Sequence, residues 1–312
     1  MESRQTYSLN AFGASSTRSV PHILEKIFFS LDYKSFKTCM TVNKTWRKLL
    51  STKPYLRRLE ELLIEKQETE KMLYDASKDG NVEAVKGLIK HYMVDVNVVM
   101  KWSLWDHSTP LIEAVSGGHE EVVKILLNAG ALADKANKLG FYLLHMAALK
   151  GHKEIVELLL RAGERVDKAD HDGYTPLRMA VRQGHLDVVQ ILLNHGADVN
   201  QEGLGGMTPL TSALAIDAID VAKLLLQHGA DPNKADRCGM TALHYAVLSE
   251  DMTFIKLLKK AGAEQNRKNI WGMTPLEDAI TSGKTEAVKD LLKASSLYGK
   301  NFIDVFLPSA KP

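Results

Sequence analysis

The chain has 312 residues, of which 45% are apolar and 25% charged, the proportions of an ordinary soluble protein. With 40 Lys and Arg against 38 Asp and Glu, the net charge of +2 gives too weak a field to hold a nucleic-acid backbone or an anionic membrane. The two cysteines, Cys39 and Cys238, stand too far apart in sequence for a metal-ligand pair, and no apolar run approaches the roughly 18 residues of a membrane span. Residues 1–19 are polar, rich in Ser and Thr and without the apolar core of a secretory signal. They are expected to be disordered, and the cytosol or nucleus is the expected compartment.

Residues 20–51 read as three short helices. Pro21 can open the first, and Ile23, Leu24, Ile27, Phe28 and Leu31 recur at helical spacing. Phe36, Cys39 and Met40 suggest a second helix, and Val42, Trp46 and Leu49-Leu50 a third. About 30 residues cannot bury a self-sufficient core, so such a segment is expected to dock its apolar face on something else. The order Val20-Pro21, Ile23-Leu24, Ile27-Phe28, Leu31, Phe36, Val42-Asn43-Lys44-Thr45-Trp46 and Leu49 resembles the F-box, by which substrate receptors dock on the Skp adaptor of cullin-RING ubiquitin ligases. Val20 stands where that pattern has Leu, and one residue, with the acid usual there, is missing between Pro21 and Ile23. The resemblance implies that Pro21, Ile23, Leu24, Ile27, Phe28, Leu31, Phe36, Val42 and Trp46 bind the adaptor.

Residues 54–71 predict one charged linker helix. Leu56, Leu59, Leu62 and Leu63 form its apolar stripe, and Glu and Lys cover the opposite face.

From residue 72 a two-helix pattern repeats. Ser108-Thr-Pro-Leu, Tyr174-Thr-Pro-Leu, Met207-Thr-Pro-Leu and Met273-Thr-Pro-Leu share a 33-residue register with Met240-Thr-Ala-Leu and a degenerate Phe141-Tyr-Leu-Leu. Leu111, Leu144, Leu177, Leu210, Leu243 and Leu276 occupy one column, and Ala114, Ala147, Ala180, Ala213, Ala246 and Ala279 another. In each unit Thr can cap the first helix, Pro fits its first turn, and a Gly ends the second helix. The period and the Thr-Pro-Leu signature resemble the ankyrin repeat. The expected fold is therefore all-α: an α-solenoid of stacked ankyrin-like repeats with short β-hairpin loops, preceded by the three-helix segment. Residues 72–107 lack the Thr-Pro start and suit a capping repeat. Six repeats follow from 108, 141, 174, 207, 240 and 273, the array ends near 299, and residues 300–312 form a tail. Tyr142 replaces a capping Thr, which predicts a first turn weaker by about 1 kcal/mol. Asp217 and Glu250 take the place of the turn glycine in their repeats.

Three histidines, His119, His152 and His185, recur with the period. Metal ligands must converge on one point, so these are expected to be structural, each bonding within its own repeat. Gly203-Leu204-Gly205-Gly206 lacks the Lys-Ser/Thr of a phosphate loop, and no nucleophile, base and orienting group present themselves. No catalytic residue, metal or cofactor is expected. Apolar and aromatic residues instead gather in the loops, where polar ones are usual. Trp102, Trp105, Leu139, Phe141, Tyr174, Leu204, Met207, Arg237, Met240, Ile270, Trp271 and Met273 are the candidate substrate contacts.

Together the two resemblances imply a substrate-recognition subunit of a Skp–cullin–F-box ubiquitin ligase that performs no chemistry itself. Its implied partners are the Skp adaptor, a cullin through it, and an unknown protein substrate, with no nucleic acid or membrane. The alternative is an ankyrin scaffold or inhibitor with no role in ubiquitination.

Overall fold

The structure, a computed structural model, describes residues 53–92, 94–100, 108–134 and 141–294, with side chains from 65 to 292. The expectations for residues 1–51 and for the 300–312 tail lie outside these residues.

The described chain forms seven helix pairs. They are α1 (Lys53–Lys78) with α2 (Val82–His91), α3 (Pro110–Gly117) with α4 (Glu120–Asn128), and α5 (Leu143–Lys150) with α6 (Lys153–Arg161). Next come α7 (Pro176–Gln183) with α8 (Leu186–Asn194) and α9 (Pro209–Ala215) with α10 (Ile219–Gln227). Last are α11 (Ala242–Leu248) with α12 (Met252–Lys260) and α13 (Pro275–Thr281) with α14 (Thr285–Ala294). Odd-numbered helices pack on the odd-numbered neighbour, and even on even, so each pair touches the pairs before and after it. This is a solenoid, in which neighbouring units supply the core that no single unit can make.

The sequence columns explain the packing. The column alanines, Ala114 to Ala279, are all fully buried, because only a methyl fits where consecutive first helices meet. Leu111, Leu144, Leu177, Leu210 and Leu243 fill the same layer, at most 1% exposed. Thr109, Thr175, Thr208 and Thr274 accept a hydrogen bond on the hydroxyl from the amide three residues on, as an N-cap should. Tyr142 offers no such acceptor. There the Tyr142 N–H donates to Nδ1 of His145, at 3.3 Å, which partly compensates.

Three expectations change. The loops hold no strand among the described residues, only one isolated bridge, Met100 with Ser108. The four loops from Asp170 onward are instead tight turns closed by single backbone bonds, such as Asp236 N–H to Met240 O at 3.0 Å, too short to propagate a ladder. The linker helix does not end at 71. It runs on as α1 to Lys78, because no Gly, Pro or cap interrupts the helix formers between Leu63 and Met72. Two of the turn histidines bond to the preceding repeat and not within their own, and His152 Nε2 is buried with no hydrogen-bond partner. His119 Nε2 meets the Lys78 carbonyl at 2.9 Å, and His185 Nε2 meets that of Leu149 at 3.2 Å. Their rings lie on the turn glycines of the preceding repeat: a Cβ on Gly151 would come within 2.8 Å of the His185 ring. Asp217 and Glu250 do adopt the left-handed turn conformation, with φ of 54° and 57°.

Candidate protein-binding ridge

Three of the loops that follow even-numbered helices are built by side chains that replace missing secondary structure. Asp170, Asp236 and Asn269 each accept two backbone N–H groups on Oδ1 and so fold their own turn. The turn at Gly203 lacks this side chain. Leu204–Gly206 coils into a 3-10 turn instead, with Gly205 and Gly206 at φ of 77° and 79°.

Adjacent turns are then tied to one another. The Arg237 N–H donates to the Gly205 carbonyl, and the Ile270 N–H donates to that of Cys238, both at 3.0 Å. Gly206 and Gly239 make this approach possible, since a Cβ on either would lie 2.9 Å from the next turn's backbone. Three tips therefore stack into one ridge. From it project Leu204 (58% exposed), Ile270 (64%) and Trp271 (65%) with Arg237, which is also exposed. Arg237 and Lys268 have no carboxylate partner among the described residues, whereas Lys234 pairs with Glu202 at 3.1 Å.

The candidate residues just before each Thr behave differently. The carbonyls of three of them are claimed by the preceding repeat. His145 Nε2 donates to Tyr174 O at 2.9 Å, Arg178 to Met207 O at 2.7 Å, and His244 Nε2 to Met273 O at 3.2 Å. This draws the residue inward. Phe141, Tyr174, Met207 and Met273 are partly buried, with the Phe141 ring tilted against the His145 ring at 5.1 Å and Tyr174 beneath the Arg178 guanidinium at 4.7 Å. Met240 is a correction. At 7% exposed, with Sδ 3.4 Å from the Asn269 amide, it packs under the next turn and offers no surface to a partner. Trp102, Trp105 and Leu139 lie outside the described residues.

His145 and His244 are fully buried, and burial pushes both imidazoles below their ordinary range, against the pull of the Tyr174 and Met273 carbonyls. Each Nδ1 accepts a backbone N–H, from Tyr142 and Thr241, so each ring is held as the neutral Nε2–H tautomer. Tyr245 is raised by burial and by its hydrogen bond to Asp236. The sequence reading passed over Arg178, a staple whose side chain is 6% exposed, and Glu164, a buried carboxyl in a column of alanines.

Among the described residues no group of three or more His, Cys, Asp or Glu could hold a metal ion, and no helix is long and apolar enough to cross a membrane. An array of stapled helix pairs with an apolar, partly cationic edge is a protein-binding solenoid. The chain belongs to the ankyrin-repeat family: the family model of ankyrin repeats in three copies matches residues 53–138, 73–170, 144–236 and 217–301. An F-box domain model matches residues 20–58, so this is an F-box protein with an ankyrin array. Both kinds of domain are generally non-catalytic interaction modules. The F-box implies a Skp-type adaptor and the repeats imply a protein partner. Similar solved structures include the ankyrin repeat domain of Bcl-3, described as a unique member of the IkappaB protein family. That match has 29% identity and a TM-score of 0.64 over 71% of this chain and 97% of that one. The ankyrin repeat domain of human ASB11 is similar at 29% identity and a TM-score of 0.62, over 73% of this chain and 99% of that one. No curated protein matches the chain.

Proposed function

We propose that the chain is the substrate-recognition subunit of a Skp–cullin–F-box ubiquitin ligase acting in the cytosol or nucleus. The F-box docks on the Skp adaptor, and through it on a cullin. The ridge grips a protein substrate and holds its lysines near the charged conjugating enzyme, which raises their local concentration. The observation that carries this reading is the joining of an F-box match at 20–58 to an array whose stacked turns expose Leu204, Ile270 and Trp271 beside Arg237. Exposed large apolar groups backed by rigid turns are the anchors expected at a protein interface.

Co-expression with the Skp adaptor tests the adaptor half. Wild type is expected to co-elute as a complex, and Pro21→Ala/Leu24→Ala/Trp46→Ala is expected to elute alone with unchanged helical circular dichroism. A well-folded wild type that binds no adaptor would leave an ankyrin scaffold with no ubiquitination role.

A further inference from the structure

Leu204, Arg237 and Ile270 hold the same position in three successive turns, 33 residues apart. The Arg237 and Ile270 N–H groups each bond to the turn before at 3.0 Å, which fixes the three residues in one row. All three side chains are exposed, and exposed Trp271 widens the patch at Ile270. Along the ridge the row therefore runs apolar, cationic, apolar.

The carboxylates of this region are engaged in holding the turns. Asp236 Oδ1 accepts the Cys238 and Met240 N–H groups, and its Oδ2 accepts the Tyr245 hydroxyl. Asp278 accepts the Asn269 side-chain amide at 3.1 Å, Glu277 accepts the Thr274 N–H at 2.7 Å, and Glu202 pairs with Lys234. Arg237 has no ion-pair partner among the described residues. Lys268, also exposed, acts on Glu277 only from beyond ion-pair distance. The acids are bonded within the fold while the cations project from it, so the row lacks negative charge of its own.

The helices beneath the turns set the spacing of the row, about 8–10 Å for packed helices. A chain in the polyproline conformation advances about 9 Å in three residues and turns every third side chain to the same side. A β-strand repeats its face about every 7 Å, which falls out of step with the row.

We propose that the row binds an extended acidic segment of the protein substrate, in which an Asp or Glu stands three residues from an apolar side chain on either side. The carboxylate meets the planar fork of the Arg237 guanidinium, which suits it in shape as well as charge, and the apolar residues lie on Leu204 and on Ile270 with Trp271. This assignment rests on the ridge reading and adds to it the chemistry of what is gripped.

The test selects random peptides displayed on phage against the full chain, then retests each enriched peptide on Ile270→Ala/Trp271→Ala and on Arg237→Glu. Both variants alter exposed side chains and are checked by thermal melt against wild type. Peptides lost on the first variant are expected to share the apolar–acid–apolar pattern at three-residue spacing. They are expected to weaken by about tenfold or more on Arg237→Glu, and replacing the peptide's acid by Lys should restore binding to that variant. Ridge-dependent peptides that lack the acid, space it otherwise or tolerate Arg237→Glu would overturn the proposal and leave the ridge reading standing. Failure to recover any peptide that depends on Ile270 and Trp271 would overturn both.

Discussion

Glu164→Ala should stabilise the chain, and by an amount set by pH. The carboxyl titrates at about 7 in the folded chain, against an ordinary 4.5. Between those values the folded state binds more protons than the unfolded one, so stability falls as pH rises through this window. The penalty is absent below the unfolded value. It grows to under about 1 kcal/mol at pH 5 and levels off near 3 kcal/mol by about pH 8, an order-of-magnitude figure. Alanine removes the titration and is the side chain that four sister repeats bury at the same place. Urea denaturation of wild type and variant at the two pH values reads the difference directly, because the histidines and other carboxylates are common to both proteins. The variant should gain about 2 kcal/mol more at pH 8 than at pH 5. A gain of the same size at both would mean that Glu164 does not titrate in this window, and it would refute the reading of a carboxyl buried without a counter-ion.

Other substitutions test the turn chemistry. Asp217→Gly should stabilise by about 1 kcal/mol, since glycine adopts the positive φ without strain. Glu250→Gly should gain less in the same thermal melt, because the Glu250 carboxylate accepts the Glu286 N–H at 3.1 Å and that bond is lost. Asn200 and Asn233 each bridge to the next repeat, accepting an N–H and donating to the Gly229 and Gly262 carbonyls, whereas Asp167 can only accept, from Asp198. Asp167→Asn should therefore add a donor toward Gly196 and raise stability by about 1 kcal/mol in urea. His145 and His244 have lowered folded values, so the unfolded chain takes up their protons first and stability falls as pH drops below about 6.5. His145→Gln/His244→Gln should flatten that slope relative to wild type, and an unchanged slope would assign it to other groups.

The helix pairs were legible in the sequence because each column has one physical job that recurs every 33 residues. Thr caps, Pro starts, Ala permits contact and Gly turns. Two features were not legible for a common reason: they depend on how one repeat meets the next. The turn histidines recur with the period, but nothing in the period says that His119 bonds to Lys78, 41 residues away. Met240 and Ile270 both read as apolar loop residues. Met240 packs under the following turn, its sulfur against the Asn269 amide, whereas Ile270, two residues before the turn glycine, projects outward. The break at Glu164 in the alanine column was visible in the sequence, but its meaning needed the burial of the carboxyl and its lack of a partner on Oε1. The helix that begins at Lys53 overran its expected end because a long run of helix formers marks no boundary of its own.

The most direct measurement of the central claim compares cells expressing wild type, Pro21→Ala/Leu24→Ala/Trp46→Ala, and Ile270→Ala/Trp271→Ala. Partners are defined as proteins whose co-purification is lost in the last variant, and their abundance and ubiquitin content are quantified in the other two. Ile270 and Trp271 are exposed, so that variant should melt with wild type. For a ligase receptor, the ridge-dependent partners should carry ubiquitin and turn over with the wild-type chain, then accumulate unmodified on the adaptor-blind variant. Equal amounts of unmodified partner on both chains would contradict it and leave a scaffold that holds proteins without marking them.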